Sequence, residues 1–472
     1  MMLCVVLLLT TLIYTSGVPN QPYTMNVLIT PPQINSYDSF GASVSIKDSA
    51  IAVGADVGGS SSQGVVHTFL KNGAGEWVHD NEFLAADGAN GDRYGNSVVV
   101  FDEFLFVGAF LQDRSGKVYV YRHNEPHFEL VPLVRVTNGY FGHVVKAKNY
   151  TLAVGHPSAR VEQEHESGNV VIYNNWGLNW VISNYITPAV PNDRMLHGFS
   201  VDFDRGDEMI VGSPKEGETG YGYIYKYGQD DRWNVLHKEP GQPHAEMGHA
   251  VAISGEHCAM TSHVGGPTNN GYVVTFKRVD NDTWTKGQIL VGDVITVGHQ
   301  GSAYYGHSVT MDGGVLAVGS PFEGATGAVY VYHWWDNVNE WRLHHKLTGP
   351  DSGDVNWYHN MFGWSLDMDN HILIVGSPGA RTFDGVERAG SVFIFSNFIF
   401  DEPTTVAPTT SAPTVAPTTR APTDTPAPTD VPTTDTPATT DAPTTTNPTS
   451  IATVNKPLIV LYMVCFFYSL MV

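Results

Sequence analysis

Cysteine is almost absent: the 472 residues contain three, Cys4, Cys258 and Cys465. Two of them lie in apolar runs at the chain ends, so a chain trimmed at both ends keeps only Cys258, which reads as a small buried residue in a strand. A disulfide scaffold and a Cys-based zinc site are both excluded on that count. Basic residues are scarce as well, with 25 Lys+Arg against 47 Asp+Glu and a net charge near −22. Nothing in that balance offers a phosphate-neutralising surface, which argues against sequence-general nucleic-acid binding. Catalytic signatures are missing too: the chain has no G-x-S-x-G, no H-E-x-x-H and no phosphate-cradling glycine loop. Apolar residues, at 42%, are plentiful enough for a sizeable core. The length suits one large all-β domain with appendages, or roughly two to three average domains.

The two ends read as addresses. Residues 3–14 (LCVVLLLTTLIY) form a short apolar run followed by Thr15-Ser16-Gly17, the pattern of a secretory signal peptide over residues 1–17, although the usual Lys or Arg before the run is lacking. Residues 458–472 (LIVLYMVCFFYSLMV) are apolar and no basic cluster follows them. Small residues at Thr449-Ser450, a polar spacer and an apolar tail over 451–472 match a glycosylphosphatidylinositol signal with Ser450 as the attachment residue, a short membrane anchor being the other reading. Residues 401–450 are nearly all Thr, Pro, Ala and Asp without apolar periodicity. Such a segment has no core to offset the cost of ordering and reads as a disordered, mucin-like stalk, reaching up to about 150 Å at ~3.1 Å per residue. The chain is thus expected at the extracellular face of the plasma membrane, tethered there or released.

Residues 21–400 repeat a pattern seven times. An aromatic or other bulky residue precedes Gly at Phe40-Gly41, Tyr94-Gly95, Phe141-Gly142, His197-Gly198, Met247-Gly248, Tyr305-Gly306 and Phe362-Gly363. Thirteen residues after that Gly, or 14 in the fourth copy, comes a Val-Gly pair, as in Val53-Gly54-Ala55 and Val211-Gly212-Ser213-Pro214; the fifth copy reads Met260-Thr261-Ser262, a decayed version. A third landmark is a Gly opening a run of β-formers, from Gly64-Val65-Val66-His67-Thr68-Phe69 to Gly390 in the seventh unit. A fourth segment often starts at Trp, as at Trp77, Trp233, Trp284 and Trp341. Each unit therefore reads as four short strands divided by Gly, Asp, Asn and Pro turns. A four-stranded sheet this small cannot bury both faces alone, and radial packing solves that, giving an all-β, seven-bladed β-propeller of four-stranded blades. No fourth strand follows Phe395, so the N-terminal strand around Tyr23–Thr30 is expected to supply it and close the ring.

The pattern resembles the FG-GAP repeat family, whose best-known members are the N-terminal propellers of integrin α subunits; Phe40-Gly41, Val107-Gly108-Ala109 and Val375-Gly376-Ser377-Pro378 carry the motif. The resemblance implies the fold and, since members include adhesion receptors, lectin-like propellers and accessory domains of surface enzymes, leaves the function open. Integrin-like repeats often bind Ca²⁺ through a D-x-D-x-D-G loop between their first two strands. Here those loops are short, and only Asp202, Asp204 and Asp207 approach the pattern, with Arg205 where another ligand would stand. Tight turns are expected in place of metal loops, with no cofactor beyond a single weak Ca²⁺ site.

Propeller topology puts the strand 1–2 and 3–4 turns on one face and the 2–3 and blade-to-blade loops on the other. The sequons Asn149-Tyr150-Thr151 and Asn281-Asp282-Thr283 both fall on the first face, as does the exit of the stalk, so that face should look to the membrane. The outward face carries the most elaborate loops, with Arg160, Glu164 and His165 in one, Arg381, Asp384 and Arg388 in another, and Trp357 and Tyr358 before the seventh unit. Arg and aromatics on exposed loops are the residue types that anchor partners. Arg205-Gly206-Asp207 matches a tripeptide that integrins recognise, yet it sits in a turn where Gly and Asp are favoured by geometry. His143, His249 and His307 each follow a landmark Gly and would approach one another if their strands line the axis; ordinary packing explains them as well. The sequence reading is an adhesion or recognition protein for an extracellular protein or glycan, of open oligomeric state and not an enzyme. Its alternatives are a lectin with repeated pockets and a surface hydrolase with carboxylates at the axis.

Overall fold

The computed structural model describes residues 25–122, 128–130, 139–176, 179–266, 269–293, 302–350, 360–382 and 385–396. The chain divides into two units, Met1–Glu402 and Pro403–Val472, and every described residue belongs to the first. The signal peptide, the stalk, Ser450, Trp357, Tyr358 and Asp384 lie outside the described residues.

Among the described residues the strands form seven four-stranded antiparallel sheets. Six consist of four consecutive strands: blade 1 spans 40–83, blade 2 94–130, blade 3 145–186, blade 4 201–240, blade 5 251–290 and blade 6 309–348. The seventh takes its three inner strands from 365–395 and its outer strand from Met25–Ile29, which pairs antiparallel with Ser391–Phe395 and closes the ring as expected. Among the described residues helix is limited to one short 3₁₀ turn, Gln112–Arg114, and no described helix is long and apolar enough to cross a membrane.

Burial explains why these sequences make a wheel. The second strands, such as Phe104–Ala109 (FLFVGA) and Val315–Ser320 (VLAVGS), are buried at every position, whereas the outer strand Trp77–Phe83 is exposed or half-exposed along its length. A strand buried on both faces needs a neighbour on both. The apolar side chains accordingly gather into seven clusters, each shared by two adjacent blades. Phe362 and Val375, for instance, pack with Val329 and Val331 of the preceding blade. No sheet owns a core of its own, so a single blade cut from the ring would expose two apolar faces.

The landmark glycines are contact points between blades. Gly64 adopts φ +102°, and a Cβ there would lie 1.9 Å from the Tyr94 carbonyl oxygen of the next blade. The bulky residue before the first landmark Gly is buried, and in three blades it meets a polar group of the third strand. Tyr94 bonds Tyr121, and Tyr305 bonds Tyr332, both at 2.8 Å between hydroxyls. His197 takes the same place in blade 4, with Nδ1 2.9 Å from Ser213 Oγ and Nε2 3.1 Å from Tyr225 Oη. Its burial, with the positive Lys238 nearby, pushes the imidazole down to about 3.

Candidate functional site

Antiparallel pairing places the 1–2 and 3–4 turns at one end of every sheet and the 2–3 and blade-to-blade loops at the other. Asn149 and Asn281 are both exposed and both belong to the first end. That end is belted by links between neighbouring blades. Asp369 Oδ2 accepts the Asp48 N–H at 2.8 Å, and Asp204 Oδ2 accepts the Gly255 N–H at 2.7 Å while its other oxygen pairs with Lys148. Although burial pushes Asp204 up, those donors bring its carboxyl below the usual range. Asp202 Oδ2 accepts the Ile253 N–H at 2.9 Å. Asp202 and Asp204 are thus engaged in holding blade 5, and Asp207 is exposed in the turn. Arg205 and Gly206 are exposed beside it, where the Arg205 carbonyl accepts the Glu208 N–H at 3.3 Å.

At the opposite end, among the described residues, two of the loops singled out from the sequence form separate patches, because they belong to blades 3 and 7, which are not neighbours in the ring. In the first, Val161 and Glu164 exchange two backbone hydrogen bonds (3.2 and 3.0 Å) in a miniature hairpin, with Arg160 and His165 exposed and Glu164 half-buried. The connection into blade 4 braces this loop: Asp193 Oδ1 accepts the His165 N–H at 2.7 Å, and the His165 carbonyl accepts the Arg194 N–H at 2.9 Å. The second patch is built on a turn in which Thr382 and Val386 bond each other. Arg381 Nε donates to the Gly385 carbonyl at 3.0 Å and its Nη2 lies 4.0 Å from Glu387. Arg388 lies over the Tyr37 ring at 5.5 Å, and Tyr37 is 61% exposed. Sequence reasoning missed Tyr37, which lies three residues before the first Phe-Gly landmark. An unpaired large aromatic in a blade-entry segment was the available signal.

The axis is lined by residues that follow the first landmark glycines. Successive rings meet around it: His143–Phe199 at 4.5 Å between centroids, Phe199–His249 at 5.3 Å, His249–His307 at 5.1 Å and His307–Trp364 at 4.3 Å. The three histidines named from sequence therefore do not form one group, since Phe199 stands between His143 and His249. His263, which the repeat pattern did not single out, joins His249 instead, with ring centroids 3.7 Å apart. Farther along the axis Lys146 Nζ lies 4.0 Å from Asp202, with Asp367 also interacting electrostatically. Asp367 accepts the Ile46 N–H at 2.8 Å, so both axial carboxylates hold the backbone of another blade.

A family model of the FG-GAP repeat matches residues 77–121, from the outer strand of blade 1 through the third strand of blade 2. No curated protein matches the chain in sequence. Among solved structures the chain is similar to Sqt1 of Saccharomyces cerevisiae, at 14% identity over 77% of this chain and 86% of that one, with a TM-score of 0.46. It is also similar to the WD40 β-propeller domain of Doa1, at 14% identity over 80% of this chain and 98% of that one, with a TM-score of 0.48. The family match thus marks one FG-GAP repeat within a seven-bladed, four-stranded architecture.

Proposed function

We propose that this protein is a cell-surface recognition protein that binds a protein ligand through the propeller face opposite its sequons. The propeller and its FG-GAP repeat support a protein-interaction role. The observation that carries the finer reading is the asymmetry of the two faces. One bears the exposed Asn149 and Asn281, where sugars would obstruct a partner. The other bears loops that are internally braced and present Arg160, His165, Tyr37, Arg381 and Arg388. Braced loops lose little freedom on binding, which favours affinity. The signal, stalk and Ser450 anchor read from the sequence would hold that face away from the membrane.

The test uses the full chain displayed on cells. Soluble extracellular proteins captured by crosslinking are compared between the native chain, Arg160→Glu and Arg388→Glu on the proposed face, and Lys226→Glu on the other. The reading expects capture of one partner to fall at least tenfold with either of the first two and to persist with the third. Equal capture by all four chains refutes it. A glycan array in parallel separates a sugar ligand from a protein one, and phospholipase C release from the cells tests the anchor.

A further inference from the structure

Glu246, His249 and His263 converge where blade 5 meets the axis, on the face opposite the sequons. Glu246 lies in the connection entering blade 5, His249 follows the landmark Gly248, and His263 follows the second strand, His257–Ser262. Each offers one ligand atom, and the three atoms lie within 4.8 Å of one another. His263 is only 6% exposed, and its Nδ1 has no hydrogen-bond partner. A buried nitrogen left without a partner costs stability unless something occupies that direction. The nearby His307 also buries an unpartnered Nδ1, and its ring lies 5.1 Å from His249 and 6.1 Å from His263.

We propose that Glu246, His249 and His263 form a binding site for a late first-row divalent cation, Zn²⁺ being the chemical type. Two imidazole nitrogens and one carboxylate oxygen suit zinc and its neighbours, whereas Ca²⁺ and Mg²⁺ take oxygen ligands. Bonds of roughly 2.0–2.2 Å to such an ion require the three atoms to close in on it from separations of up to 4.8 Å. Burial and the neighbouring imidazoles hold both histidines well below the ordinary range, so each presents a free lone pair at neutral pH. The Glu246 N–H is fixed on Ser262 Oγ at 3.1 Å. Its Oε1 pairs with Lys215, a partly exposed side chain that can swing away when a cation enters. Three protein ligands leave a coordination position for water or for His307. The site does not depend on the recognition reading: metal binding is measured without any partner.

The experiment is a Co²⁺ and Zn²⁺ titration of the full chain after chelator treatment, followed by visible absorption and calorimetry, with circular dichroism to check folding. The expected result is one ion per chain and intense d–d bands with Co²⁺. His249→Gln should weaken binding by on the order of 100-fold, with His263→Gln at least as damaging. Lys215→Met should tighten it by removing the competing cation. His249 is only half-buried, so its variant remains informative should His263→Gln not fold. The proposal is overturned if Co²⁺ gives no bands, if binding survives unchanged in folded His249→Gln, or if Lys215→Met weakens it.

Discussion

Blade 5 differs from blades 1, 4, 6 and 7 at one link, and the difference makes a quantitative prediction. In blades 1, 4, 6 and 7 a Ser in or just before the first strand donates its hydroxyl to the landmark-Gly carbonyl of the next blade: Ser43 to Gly95 (2.7 Å), Ser200 to Gly248 (2.8 Å), Ser308 to Gly363 (2.7 Å) and Ser365 to Gly41 (2.8 Å). The Val-Gly glycine opposite leaves room for that hydroxyl; a Cβ on Gly54 would lie 2.4 Å from Ser43 Oγ. Blade 5 has Ala250 and Thr261 at these two places. Thr261 Oγ1 donates to the Gly306 carbonyl at 2.6 Å and accepts the Ala250 N–H at 3.1 Å. The hydroxyl has moved from one strand to the other while serving the same carbonyl. Thr261→Gly strands a buried carbonyl and an N–H, at about 1–3 kcal/mol, and adds backbone freedom worth roughly 0.5–1 kcal/mol. Ala250→Ser alone forces a second hydroxyl into an occupied place, at about 1–3 kcal/mol. Together the two rebuild the arrangement of blade 1, so the double variant should stand within about 1 kcal/mol of the native chain. Urea unfolding followed by tryptophan fluorescence gives the three values. A double loss equal to the sum of the singles, within about 0.5 kcal/mol, refutes the exchange.

Two further outcomes follow from buried groups. His197 is pushed down to about 3, so it stays neutral in the fold while the unfolded chain takes up a proton near the usual imidazole value. Its contribution is complete above about pH 6.5 and is lost as pH falls toward 3. His197→Tyr recreates the Tyr94–Tyr121 arrangement and should flatten the acid limb of stability by about 1.4 kcal/mol per pH unit, read from urea midpoints; parallel native and variant limbs would falsify this. Arg278 of blade 5 grips Glu208 of blade 4 through both guanidinium branches, with side chains 7% and 1% exposed. Arg278→Met leaves a buried carboxylate unpaired and should cost about 3–5 kcal/mol, most of it recovered in Arg278→Met/Glu208→Leu. An equal loss in the single and double variants, by the same urea measurement, rules that account out.

Which features were legible in the sequence follows from what enforces each residue. Most landmark glycines stand where another blade's backbone leaves no room for a Cβ, so the first and third recur in every unit, and together the landmarks gave away the blade count, the strand order and the closing role of Met25–Ile29. The outward loops answer to no such constraint. Their residue types and the blades that carry them could be noted, but not that Tyr37 lies under Arg388. The axial group was harder still, because its members belong to different landmarks. His249 follows the Gly, while His263 occupies the place that Pro214, Pro321 and Pro378 hold in blades 4, 6 and 7. Read alone, Met260-Thr261-Ser262 looks like erosion. In the fold Thr261 preserves the link to blade 6, and His263, two residues on, offers a ligand atom beside those of His249 and Glu246. A repeat under packing constraint drifts only where compensation is at hand, and natural chains break local rules chiefly at sites of function. The blade whose motif departs most from the others is therefore where this protein's particular chemistry should be sought.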